Sequence, residues 1–341
     1  MRSFSVRIAS VAMALSFTLQ LSAQNASNPI QVALLRWYQA NTAAVLTVHN
    51  TCIGPQGMVF DGAHLWVSCV GSNELDEYDP YDLTFLQKVS LTSPPFFLLY
   101  DGGNIWATNP TGAGTVTEVQ ASTGTVLRII PVGFASGSNP SGMVFDGLDI
   151  WVANYSDDSV SKIQVETGAV TNISLAASCT DPRSLAYDGV HSAIWVACNG
   201  APNGPFVVEL NSSGTVVATT ASIGNTPNCN NMAFDGTNIW VTTSSGSTFA
   251  SVTEINTSTL ALTVISLPAN SGPAAVAYDG DYIWVARGDG HVSKIVASTA
   301  TLAGSAPATG GTAYTLAFDG GNMWVSTPNV QPNGAYIISK M

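Results

Sequence analysis

Residues 143–154 read Met143-Val144-Phe145-Asp146-Gly147-Leu148-Asp149-Ile150-Trp151-Val152-Ala153-Asn154. An apolar triplet, Asp-Gly and a second apolar triplet centred on Trp describe two strands joined by a tight hairpin, because Asp-Gly supplies the positive φ angles such turns require. The phrase recurs at Asp61, Asp101, Asp146, Asp188, Asp235, Asp279 and Asp319, each followed by Gly. Five residues on, or seven in the fourth copy, stands Trp66, Trp106, Trp151, Trp195, Trp240, Trp284 or Trp324. Spacings of about 40 to 47 residues are those of propeller blades rather than of helical solenoids.

Outward from this core phrase, the third unit continues with a polar loop and the alternating segment Val160 to Val165. A turn at Thr167-Gly168 and a last segment, Ala169 to Leu175, complete it. Four strands per unit make an antiparallel blade, so the pattern predicts an all-β, seven-bladed β-propeller. The seventh unit ends at Met341 after three strands, and Ala43 to His49 precedes the first unit as a fourth strand precedes the next blade. That segment, residues 43–49, is expected to complete the last blade and close the ring, removing free sheet edges. The repeated Trp residues read as wedge fillers between blades, and the repeated Asp residues as turn formers.

The first 23 residues carry Arg2 and Arg7, then an uncharged apolar run from Ile8 to Leu21, then Ser22-Ala23. This is a signal-peptide pattern with cleavage after Ala23, leaving 24–341 as a single propeller domain. The run is too short to span a membrane comfortably, and the mature chain is expected to be secreted or periplasmic and monomeric. Ten basic residues face 22 acidic ones, which argues against nucleic acid as partner.

Cys52 and Cys179 lie nine residues before the Asp of their repeats, and Cys69 and Cys198 three after the Trp. Equivalent places in two units predict two disulfides, Cys52–Cys69 and Cys179–Cys198. Cys229 is left over. It replaces the Pro found six residues before the Asp in five units (Pro55, Pro95, Pro140, Pro182, Pro273), and is read as a buried, inert thiol rather than a nucleophile.

The pattern Pro-x-x-[apolar]-[Phe/Tyr]-Asp-Gly-x-x-Ile-Trp-Val-[Ala/Thr]-Asn, met best by Asp101 to Asn109 and Asp146 to Asn154, resembles the YVTN-type and virginiamycin B lyase-like propeller repeats. The resemblance covers essentially the whole chain after the leader. It implies the propeller fold and, in the family's lyases, magnesium-assisted ring opening of a streptogramin by a His and acidic residues at one face. Those repeats read Gly-Pro-Asp-Gly-x-Leu-Trp-Phe-Thr-Glu. Here an aromatic replaces Pro, Val replaces Phe, no copy has Thr-Glu, and no position takes the catalytic His.

Function is therefore sought in departures from the repeat, on the rim formed by the loops leading into the inner strands and those following each Trp strand. Arg183 and Arg287 are two of few basic residues, and they either grip an anion together or pair with Asp181 and Asp289 on the surface. Asn109, Asn154, Tyr155, Asn199, Asn228 and Asn230 line the same rim, and Phe96, Phe97 and Tyr155 are candidates for an apolar patch. No metal site or cofactor is predicted. A divalent cation on Asp157, Asp158, Asp289 and the Asn side chains is the one such option. The reading is a binding module for an extracellular or cell-envelope glycan, peptide or protein. The alternatives are a lyase or hydrolase at the same rim, and a structural envelope protein.

Overall fold

The structure is a computed structural model that describes residues 44–47, 52–82, 84–134, 137–200, 204–223, 228–245, 249–307, 311–328 and 337–341. The proposed leader and residues 43, 48 and 49 lie outside these.

Seven four-stranded antiparallel sheets follow one another along the chain. In the third blade the strands are Pro140–Phe145, Asp149–Asn154, Ser159–Gln164 and Val170–Ser174, within a few residues of the expected bounds. Its inner strand begins earlier than the apolar triplet suggests, because a bulge between Pro140 and Met143 lets the leading segment rejoin the ladder. Consecutive inner strands neighbour one another around the ring, the first meeting the last. Closure is as expected: Ala44–Thr47 pairs antiparallel with Ile337–Lys340, the third strand of the seventh blade. No helix among the described residues is long and apolar enough to cross a membrane.

Each repeated Asp does more than form a turn. Its Oδ1 accepts the backbone N–H groups two and three residues on, at 2.7–3.1 Å in all seven copies. In six copies Oδ2 accepts the indole N–H of the same repeat's Trp at 2.6–2.9 Å. Sequence spacing explains this. Five residues carry the chain around the hairpin and back, placing the ring over the carboxylate. The fourth hairpin is two residues longer, with Ser192 at φ +54°. There Asp188 Oδ2 bonds His191 Nδ1 at 2.6 Å, and the buried Trp195 Nε1 has no partner.

The repeated indoles fill the wedges between blades, as read from the sequence, except that Trp284 is only half-buried. Trp66, Trp106, Trp151, Trp195, Trp240 and Trp324 are all less than 2% exposed. Trp151 packs on Leu185, Ile194 and Val196 of the next blade. Trp324 does the same across the closure, against Met58, Leu65 and Val67. Both disulfides form, Cys52–Cys69 and Cys179–Cys198, with Cα–Cα distances of 5.0 and 5.4 Å. Each ties a leading loop to the end of a Trp strand, and both fit an oxidising compartment.

Beside the first disulfide, on the strand Glu74–Tyr78, Asp76 is fully buried. Tyr78 donates to its Oδ2 at 2.9 Å, while Oδ1 has no partner. Burial, reinforced by the Glu74 charge, pushes its carboxyl up to about 7 against the opposing effects of Tyr78 and Lys88.

Two predictions follow from these carboxylates. Asp146→Asn presents an amide N–H₂ or loses an acceptor at the Trp151 indole, so the variant should lose about 1–3 kcal/mol by denaturant unfolding. Asp188→Asn, with no indole bond to lose, should cost less. For Asp76, an acid whose folded pKa is raised, the folded state holds the proton more tightly than the unfolded one. Stability therefore rises as pH falls through 7 and levels off below the ordinary value of 3.8, by up to about 1.4 kcal/mol per pH unit. Melting curves at pH 5 and pH 8 should differ less in Asp76→Asn than in the wild type.

Candidate functional site

Counting five residues back from each repeated Asp gives one rung of seven residues, one per blade: Gln56, Phe96, Ser141, Arg183, Asn230, Ala274 and Tyr314. All are half-buried, whereas the residue before each is buried. This is the alternation of a strand with one face on the core and one on an open axis. The aromatic members confirm the geometry. Phe96 of the second blade meets Tyr314 of the seventh edge-to-face at 6.2 Å, although a whole blade separates them.

On this rung a cavity of about 120 Å³ is lined by Phe97, Arg183, Asn230, the backbone and side chains of Gly272 to Ala275, and Tyr314. Five blades contribute, so it lies on the propeller axis, at the rim reached by the leading loops. Its polar groups differ in how far the fold already uses them. Asn230 Nδ2 donates to Pro273 O at 2.7 Å and to Ser244 Oγ at 2.9 Å, bracing blade five against blade six. Ser141 Oγ likewise donates to the Arg183 carbonyl at 2.7 Å, fixing that backbone. The Arg183 guanidinium, by contrast, makes no hydrogen bond or ion pair with any described residue. Burial raises the Tyr314 hydroxyl above the ordinary phenol value, and the Arg183 charge works against that rise.

The other residues singled out in the sequence fall into three groups. Phe96 and Phe97 stand edge-to-face at 5.0 Å as channel wall rather than as a flat exposed patch. Arg287 is only 3% exposed, is paired with Asp289 and donates to Ser293 Oγ at 3.0 Å, so it does not join Arg183 on one ligand. Asn109 and Asn154 are fully buried three residues after their Trp. Asn109 donates to Ser93 O and Pro94 O, Asn154 to Ser159 and Ser161. Asn199 Oδ1 accepts the Cys229 N–H at 2.6 Å. Tyr155 opens a short 3-10 turn and its N–H bonds Asn139 O, and Asn228 begins the fifth inner strand. Asp157 and Asp158 accept from the Phe134 and Asp181 backbones at 2.7 and 2.8 Å.

Reasoning from sequence missed Tyr314 and the Gly272 to Ala275 segment. Tyr314 occupies the same rung as Arg183, and the five-residue offset from Asp319 was the signal that marks it.

No protein-family model and no curated protein matches the chain. Among solved structures, virginiamycin B lyase from Staphylococcus aureus superposes with a TM-score of 0.74 at 18% identity, over 88% of this chain and 98% of that one. Hydrazine synthase from Kuenenia stuttgartiensis superposes with a TM-score of 0.71 at 17% identity, over 89% and 98%. The chain has a virginiamycin B lyase-like propeller fold. At such identities the likeness is one of scaffold, and the two neighbours carry names of different chemistries on it.

Cys229 lies directly behind the pocket, fully buried, with its Sγ 3.8 Å from Cys198 O. Burial pushes its thiol up to about 12 despite the Arg183 charge. It should therefore resist alkylation by iodoacetamide in the native protein at neutral pH and react only after unfolding, a difference that intact-mass spectrometry reads directly.

Proposed function

We propose that the protein is a binding module whose axial pocket takes the carboxylate of an extracellular or cell-envelope ligand, such as a peptide C terminus or an acidic sugar. The observation that carries this reading is the unengaged Arg183 guanidinium, half-buried in a cavity walled by Phe97 and Tyr314. A half-buried cation with no partner among the described residues is costly unless a ligand arrives. A planar carboxylate is the partner its two-pronged donor geometry fits. The aromatic wall and the backbone of Gly272 to Ala275 would take the apolar part of the same ligand, as in other concave sites with few convergent polar groups.

Chemistry at this site is less well supported. The pocket lining holds one proton-transfer group, the Tyr314 hydroxyl, and burial raises it away from neutrality. The neighbouring thiol is raised further. A nucleophile with an adjacent base, the arrangement covalent catalysis needs, is not assembled among the lining residues.

Calorimetric titration with free-acid and amidated peptides, and with acidic and neutral oligosaccharides, tests the proposal. A free-carboxylate ligand should bind the wild type and weaken about 10- to 100-fold in Arg183→Ala, with Arg183→Lys intermediate. The guanidinium bonds no described residue, so stability should change little. Equal binding by Arg183→Ala would move the site elsewhere. Turnover of an added ester or lactone, lost in that variant, would replace the binding reading by a lyase one.

A further inference from the structure

At the opposite rim, the hairpin residue three after the repeated Asp meets, in the second, third and sixth blades, the third-strand residue paired with the repeat's Trp. Asn104 Nδ2 donates to Glu118 Oε1 at 2.9 Å, Lys162 pairs with Asp149 at 2.9 Å, and Lys294 lies 3.8 Å over the Tyr282 ring. Only blades one and four place His there, His64 opposite Glu77 and His191 opposite Glu209. In blade four the longer hairpin diverts His191 to Asp188, away from Glu209.

Blade one is different. His64 Nδ1 lies 2.7 Å from Glu77 Oε1 and 3.8 Å from Asp61 Oδ2, and one ligand atom from each of the three side chains falls within 4.8 Å of the other two. Donors sharing one ion at about 2.0–2.2 Å are separated by about 3–3.5 Å, which those two distances bracket. Both carboxylates are held from behind. Gln87 Nε2 donates to Glu77 Oε2 at 2.6 Å, and the Trp66 indole and two backbone N–H groups fix Asp61. Such outer bonds orient ligands in metal sites. The carboxyl side chains are 6% and 7% exposed while His64 is 39% exposed, so an ion would sit at the surface with positions left for water.

We propose that Asp61, His64 and Glu77 form a binding site for a first-row divalent transition metal, with one nitrogen and two oxygen donors in the manner of an open zinc site. Binding requires the Nδ1 lone pair, so a proton held there leaves as the metal enters. The ring must then carry its proton on Nε2.

The probe is Zn²⁺ alone, titrated into untagged full chain in competition with a chromogenic chelator, with Co²⁺ visible spectra as a second readout. His64→Asn is the decisive variant because Asn104, Asn238 and Asn322 occupy this position in three other blades, so the hairpin tolerates it. The wild type should bind one equivalent with proton release. His64→Asn should bind at least about 10-fold more weakly and lose the Co²⁺ bands, whereas His191→Asn should behave as the wild type. Absence of stoichiometric binding by the wild type, equal affinity in His64→Asn, or loss in His191→Asn instead would each overturn the assignment.

Discussion

One carboxylate per blade holds this molecule in shape. In six blades the two oxygens of the repeated Asp serve different partners, Oδ1 the two N–H groups of its hairpin and Oδ2 the indole of its Trp. Local chain reversal and the packing of one blade on the next thus depend on a single side chain. An ionised acceptor is suited to this, because three donors on one anion repay its desolvation while a neutral amide would turn a donor toward the indole. The fourth blade shows how narrow the arrangement is. Two extra residues keep the backbone bonds but release Trp195, and a histidine takes the vacant oxygen.

A scaffold this saturated with its own hydrogen bonds decides where a ligand can act. Of the asparagines after the Trp strands, which look available in sequence, Asn109 and Asn154 spend their Nδ2 groups on leading-loop carbonyls and neighbouring serines, and Asn199 its Oδ1 on the Cys229 N–H. Arg287 and Asp289 likewise pair with one another. What remains is the rung around the axis, where each blade contributes one half-buried side chain and the Arg183 guanidinium bonds no described residue. There the sequence varies from Ala274 to Arg183 to Tyr314, as expected where packing does not choose the residue.

The ring, the closing strand and both disulfides were legible in the sequence because each is written in local terms: a repeated phrase, a strand missing at one end and present at the other, cysteines at equal offsets. The site was only half legible. Arg183, Asn230 and Phe97 stood out as departures from the repeat, but Tyr314 is distant in the chain, and only ring closure brings it against Phe96. Burial was the other hidden quantity. The pairing of Arg287 with Asp289 was among the readings its sequence allows, but as a surface pair, and its surroundings show the arginine only 3% exposed.

For the proposed carboxylate ligand, charge would make the axial pocket selective rather than merely attractive. With 22 acidic residues against ten basic ones, the long-range field repels an anion, and screening at physiological salt extends only about 8 Å. An anion is therefore not steered to Arg183. It must be retained there by short-range bidentate bonds and by apolar contact with Phe97, Tyr314 and the Pro273 segment. Small inorganic anions supply only the first of these, whereas a carboxylate on an apolar or ring-bearing body supplies both. The acidic surface that discourages casual anions thereby favours ligands that fit the wall as well as the charge.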